Sequence, residues 1–290
     1  MLRKTTLLIV LAAFACMLSA ESWQLDSDVM VNLTQSSYSD NWNGSELSNI
    51  TWAASSNTVA QKQMKEWLNN KTTLKLAFGQ THLQKVDMLG NKYWEKPSKS
   101  TDKIDLESLF KFTLQSFVDP YVSGRAESQF IDESDPTLTR IVNPILFTES
   151  AGIIKSILDF EKTKLSVRLG GAVRENLNRE VLNASLEREN VITVDGGLEG
   201  VAEFKQVIGM LGASYNSKLS AYQALFNSKS DELPNENWKA LDYKWENMLS
   251  FKLLKVLSVN LNLDFLYEKE QVDEVQWKEI LGLGFSYTLF

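Results

Sequence analysis

The chain is poor in the residues that most often carry chemistry: it has one cysteine, one histidine and five prolines. Cys16 lies within the first twenty residues. The chain beyond it therefore forms no disulfide, holds no thiolate metal site and has no cysteine nucleophile. A single histidine, His82, excludes a histidine cluster for zinc. Positive charge is also scarce. Arg3 and Lys4 account for two of the 30 basic residues, leaving 28 against 37 Asp and Glu, which argues against a nucleic-acid binder. After residue 20 no stretch approaches the run of about eighteen apolar residues that a spanning helix requires. Any insertion into a membrane must be by strands.

Residues 1–20 have the pattern of a secretory signal peptide: Arg3 and Lys4, an apolar stretch over 7–18, and a small-residue cleavage site at Ser19-Ala20. The expected organisation is a cleaved Sec-type signal peptide over 1–20 and one domain over 21–290. Cleavage before Cys16 with lipidation is the alternative, but the bulky Phe14 makes a poor lead-in.

Strict alternation dominates what remains. Over residues 281–289, Leu281, Leu283, Phe285, Tyr287 and Leu289 share one face; Gly282, Gly284, Ser286 and Thr288 share the other. Period 2 is the signature of a β-strand. The same design recurs over 23–35, 103–114, 163–174, 241–252 and 257–267, with weaker runs over 46–60, 72–87, 120–133, 141–157, 191–208 and 210–228. About twelve strands follow. Turn formers cluster at 40–44, 69–70, 90–100, 119–120, 132–136, 176–190 and 228–237. Residues 174–189 also have the pattern of a short surface helix.

Alternation alone fits two solutions: a soluble sandwich with charges outside, or a membrane barrel with charges inside. The signal pattern, the aromatic last residue Phe290, and aromatics near strand ends (Trp23, Trp238, Tyr267, Trp277, Tyr287) favour the membrane. The expected fold is all-β: a single transmembrane antiparallel up-and-down barrel of about 12 strands, closed by pairing of the last strand with the first. A secreted soluble β-sandwich that binds partners is the competing fold.

Several segments also resemble a family, the uncharacterised outer-membrane β-barrel proteins of Gram-negative bacteria grouped as a domain of unknown function. They are Asn41-Trp42-Asn43-Gly44 with Leu47-Ser48-Asn49-Ile50, and Trp94-Glu95-Lys96 with Thr101-Asp102-Lys103-Ile104-Asp105-Leu106. Ser128-Gln129-Phe130, the hairpin from Trp245 to Leu263, and Gly282-Leu283-Gly284-Phe285-Ser286-Tyr287 complete the set. The resemblance implies residence in the outer membrane but supplies no activity, ligand or catalytic residue. Outer-membrane lipid is then an expected partner, with periplasmic chaperones and the barrel-assembly machinery during biogenesis. Leu283, Phe285, Tyr287, Leu289 and Phe290 form the expected closing strand and assembly signal. Phe290 is out of phase with the outward row, so it is expected at the rim or turned inward.

The charged faces of the strands carry the functional reading. Lys164, Arg168 and Arg174 on one strand, and Asp242, Lys244, Glu246 and Lys252 on another, are expected to line the lumen. Mixed signs fill a narrow pore with salt bridges, whereas an unpaired basic row selects anions. Filling fits the width of a twelve-strand barrel. A lipid hydrolase using His82 with a serine and an Asn or acid is the enzymatic alternative, without any supporting spacing. An acidic turn at Asp132, Glu133 and Asp135 offers carboxylates for calcium, and a solvated loop is its plainer explanation. The glycine pairs at 170–171 and 196–197 mark strand bends rather than phosphate cradles. The expected function is a narrow channel or membrane-anchored scaffold, with no cofactor, metal or catalytic residue.

Overall fold

Alternating side chains become strand along most of the chain. The computed structural model describes residues 23–39, 46–183, 185–209, 212–233, 235–254 and 257–289, with side chains as far as Leu283. In order the strands are β1 (Gln24–Ser36), β2 (Asn49–Lys65), β3 (Leu68–Val86), β4 (Lys92–Trp94) and β5 (Ser98–Phe112). There follow β6 (Asp119–Ser128), β7 (Ile131–Asp135), β8 (Leu138–Ile141), β9 (Ile145–Asp159) and β10 (Thr163–Leu182). The last are β11 (Arg188–Ile208), β12 (Ala213–Asn227), β13 (Leu241–Lys252), β14 (Leu257–Glu268) and β15 (Val272–Leu289).

Twelve of them form one closed antiparallel ring in the order β1, β2, β3, β5, β6, β9, β10, β11, β12, β13, β14, β15. β15 closes on β1 in antiparallel register, with Leu283 opposite Val31 and Tyr287 opposite Ser27. Closure leaves the ring without an unpaired edge, which is what a lipid environment demands of strands. β4 extends β3 beyond the ring, and β7 with β8 makes a separate hairpin.

The two faces of the wall differ as a membrane barrel requires. Val31, Val122, Ile153, Leu169, Leu198 and Leu281 point outward and are exposed, Leu169 by 58%. Arg168, Asp105 and Glu107, from the same or neighbouring strands, are buried inside. Aromatic pairs band both ends of the outer wall. Trp52 meets Phe78 at 5.9 Å, Tyr243 meets Tyr267 at 5.3 Å and Trp245 meets Phe265 at 5.6 Å near one end. Trp67 stacks on Phe112 at 6.1 Å near the other. Such bands mark the two interfaces of a bilayer. Two carboxylates break the rule. Glu149, opposite Gly124, and Glu279, opposite Leu263, sit outward just beneath Phe147 and Trp277.

The ends are unequal. On the side where β1 begins and β15 finishes, neighbouring strands are joined by two to six residues (66–67, 113–118, 160–162, 209–212, 253–256). On the opposite side the connections include 37–48, 87–97, 129–144 and 228–240. Short turns on one side and long loops on the other are the asymmetry of outer-membrane barrels.

Some sequence expectations need correction. The described residues of 174–189 form no helix: β10 continues to Leu182, paired with Arg188 of β11. A register shift between Asn178 and Val181, with Glu180 at φ 53°, absorbs the irregular residues. Partner-strand backbone groups outweigh the local helical preference. Asn69 and Asn70 lie in β3, the turn before them being at 66–67, and Asp119-Pro120 begins β6 rather than forming the turn. The turn expected at 40–44 and the position of Phe290 fall outside the described residues. Gly197 meets the expectation for a strand glycine. β12 bulges against it, and a Cβ there would collide with the Gln223 carbonyl.

Candidate functional site

The inner face of the ring holds ion pairs that cross the barrel. Lys103 on β5 reaches Glu246 on β13 at 2.6 Å, and these strands are six places apart in the ring of twelve. Lys75 on β3 meets the other oxygen of Glu246, also at 2.6 Å. Lys71 on β3 pairs with Glu203 on β11 at 2.5 Å, and Lys244 on β13 with Glu127 on β6 at 2.9 Å. Glu107 on β5 binds both Arg168 on β10 and Lys218 on β12. Arg125 joins these lines, clasping Asp105 through Nε at 2.8 Å and Glu127 at 2.9 Å. No exterior path links strands so far apart, so these contacts pass through the lumen.

The geometry implies a flattened ring. Twelve strands spaced about 4.8 Å apart and tilted about 40° would enclose a circle roughly 24 Å across. A lysine and a glutamate cannot bridge that, so β5 and β13 must approach one another. Seven cations (Lys71, Lys75, Lys103, Arg125, Arg168, Lys218, Lys244) interleave with six anions (Asp105, Glu107, Glu127, Glu199, Glu203, Glu246). Opposite charges at this density cancel, which removes the unpaired basic row that anion selection needs.

The sequence-derived lumen residues divide by height. Arg168, Lys244 and Glu246 are in the web. Arg174 and Asp242 sit nearer the loop-side mouth, Arg174 donating to Asp195 at 2.8 Å and lying 3.4 Å from Asp242. Lys164 is exposed at the short-turn end, 3.7 Å from Asp159. Lys252, the last residue of β13, is exposed at that same end and forms no ion pair among the described residues. Phase does not say how far along the axis a side chain lies, and Lys164 and Lys252 stand apart from the web for that reason.

Sequence reasoning passed over Lys71, Lys75, Arg125, Glu199, Glu203 and Lys218, which lie in the strands of weaker alternation. Their inward parity was a usable signal; their partners, up to 171 residues away, were not.

Near the loop-side mouth Trp238, in the connection between β12 and β13, packs against Ala172 of β10 and Tyr222 and Ala224 of β12, leaving it 9% exposed. Trp238 is thus no interfacial anchor, contrary to expectation. The small inward side chains Ala172 and Ala224 open a slot that its indole fills. Beneath it the Arg174 guanidinium lies 3.6 Å from the Tyr222 ring centroid, and the Tyr222 hydroxyl donates to Asp195 at 2.5 Å.

The remaining candidates are occupied or isolated. The acidic turn is neutralised by arginine: Asp132 pairs with Arg140 at 2.7 Å and Asp135 with Arg188 at 2.8 Å. Asn143, fully buried, donates to Asp132 and Asn178 at 2.7 and 2.8 Å. Among the described residues no group of three or more His, Cys, Asp or Glu is arranged to hold a metal. His82 lies in β3 opposite Ile50, and no hydrogen bond joins it to a serine or an acid among the described residues.

Residues 33–133 match a family described as a protein of unknown function (DUF3078). The match takes in the resembling segments from Asn41 to Phe130 and ends before the hairpin at Trp245. Among curated proteins none matches the chain. Solved structures with a similar course include the translocator domain of the autotransporter NalP from Neisseria meningitidis. It shares 7% identity over 98% of this chain and 96% of that one, with TM-score 0.41. The COG4313 outer membrane channel from Pseudomonas putida F1 shares 12% identity over 92% and 95%, with TM-score 0.44. OprB from Pseudomonas putida shares 8% over 92% and 93%, with TM-score 0.30. At such values the ring of strand pairings in this chain is itself the ground for its fold.

Proposed function

We propose that the protein is an outer-membrane β-barrel whose lumen is held shut, a membrane-anchored scaffold rather than an open diffusion pore. The observation that carries this reading is the Lys103–Glu246 contact between opposed strands, reinforced by Lys75. The apolar outer wall, two aromatic bands and long loops on one side support the membrane setting. No catalytic role is assigned to any residue.

A second reading, a narrow gated channel, is favoured by one feature. Trp238, in the connection between β12 and β13, packs on side chains of β10 and β12 near the loop-side mouth, and loops are the parts of a barrel that move. Planar-bilayer recording of the refolded protein separates the two, using solutes of graded size. Wild type is expected to stay near baseline. Trp238→Ala combined with Glu246→Gln is expected to give measurable current, because both contacts are weakened. Steady size-selective current from wild type would replace the scaffold reading with the channel.

A further inference from the structure

Every lysine of the lumen web holds a carboxylate. Lys155, on the outer wall, does not. It stands on β9 opposite Val167 of β10, two residues beyond the outward Ile153 and four before the short-turn end of its strand. Among the described residues it forms no ion pair and no hydrogen bond. Its ammonium lies 2.9 Å from the centroid of the Phe117 ring, in the connection between β5 and β6. That connection is fixed in place. The Thr113 N–H donates to the Trp67 carbonyl at 2.9 Å, and the Leu114 N–H to the Asp119 carboxylate at 3.0 Å. Phe117 is 80% exposed, and Leu114, Ile157 and Phe160 are exposed at the same end of the barrel. Between the connection and β9 lies a recess of about 340 Å³, lined by Ser116, Phe117, Val118, Asp119, Ile154 and Lys155 among others. Asp119 is its one carboxylate, and it is engaged by the Leu114 N–H and by Lys111 at 3.8 Å.

We propose that this recess binds the headgroup of an anionic phospholipid from the leaflet on the short-turn side, with its phosphate on the Lys155 ammonium and its acyl chains against Phe117 and the apolar wall. The site rests on the membrane-barrel reading, which puts lipid against this face. An aromatic ring attracts an ammonium but leaves its charge uncancelled. On a wall that faces lipid, such a charge is costly until an anion joins it. The Phe117 ring also keeps the ammonium at the wall, where a free lysine side chain would run out to water. A single ammonium is a point charge suited to one phosphate. A zwitterionic headgroup brings its own cation to that phosphate, so a net negative headgroup is the better match. The recess falls within the roughly 300–1,000 Å³ typical of small-molecule sites.

The test is native mass spectrometry of the refolded full chain in a non-ionic detergent, titrated with dioleoylphosphatidylglycerol or with zwitterionic dioleoylphosphatidylcholine. One tightly held phosphatidylglycerol per barrel is expected, retained in preference to phosphatidylcholine. Lys155→Gln should weaken its retention about fivefold, the effect of one lysine near an anionic lipid surface. Lys155→Arg should keep it, and Phe117→Leu should weaken it with an apolar side chain still in place. Lys62→Gln removes another outer-wall lysine, beside Trp23, and should leave retention unchanged. Inorganic phosphate at the same concentration should not displace the lipid. Equal retention of the two lipids, indifference to Lys155→Gln, an equal loss in Lys62→Gln, or displacement by inorganic phosphate would each overturn the site. Heat-dependent gel migration verifies that each variant barrel is folded, and Phe117→Leu serves if Lys155→Gln is not. A wild type without a compact band would overturn the barrel reading itself, and the site with it.

Discussion

Glu246 holds two lysines at once, with Lys75 and Lys103 each 2.6 Å from one of its oxygens. Removing its charge leaves two ammonium groups facing one another in a confined lumen. Breaking a buried pair from one side costs about 3–5 kcal/mol, because the orphaned charge keeps its desolvation penalty. Glu246→Gln is therefore expected to lower the unfolding free energy of the refolded barrel by about 3–5 kcal/mol, read as a lower urea midpoint. Adding Lys75→Met should recover part of the loss. An unchanged midpoint would mean that water already screens the cluster. Glu246 itself was readable as an inward charge from its phase in residues 241–252. That it serves two lysines from β3 and β5 was not, since no local pattern records which distant strand lies across the lumen.

Among the elements, the strap over 129–144 ties the tops of four strands together. Asp102 accepts the N–H groups of Phe130 and Ile131 at 2.6 and 2.9 Å, and Arg179 donates to the Val142 carbonyl at 2.6 Å. Asp135 anchors the hairpin within it. Hydrogen bonds from Thr137, and then the Arg188 guanidinium, hold its carboxyl well below the usual carboxylate range. A depressed carboxyl contributes stability that is complete above the unfolded value, near pH 4, and lost as pH falls through the folded one. Hydrogen-exchange protection in the strap, with the pH dependence of intrinsic amide exchange divided out, is therefore expected to fall below about pH 4 and to stay flat between pH 5 and 8. Loss of protection between pH 5 and 8 would point to a different titrating group. The sequence marked these residues only as an acidic turn. Their arginine partners are Arg140, on the paired strand β8 of the same hairpin, and Arg188, at the start of β11, so the carboxylates are neutralised by partners that the spacing within the turn does not record. The helix expected over 174–189 failed for a similar reason: β11 supplies pairing partners for Arg174 to Asn178 and again for Val181 and Leu182.

For the whole molecule, ring closure couples every strand to two neighbours, so opening one seam exposes unpaired backbone in the membrane. The refolded barrel is thus expected to run compactly in SDS until boiled and as an extended chain afterwards. Migration that ignores heating would contradict a closed ring. Alternation fixed which face of each strand is apolar, because successive side chains must point to opposite sides. That local rule was enough for a count of about twelve strands, while the choice of a membrane ring over a soluble sandwich rested on the signal pattern and the aromatics near strand ends. Alternation was silent on the flattening that joins Lys103 to Glu246, on the packing of Trp238 against β10 and β12, and on the height of Lys164 and Lys252. Those depend on which strands face one another across the lumen and where the loops find room. Contacts between residues far apart in the chain arise only once the ring has closed.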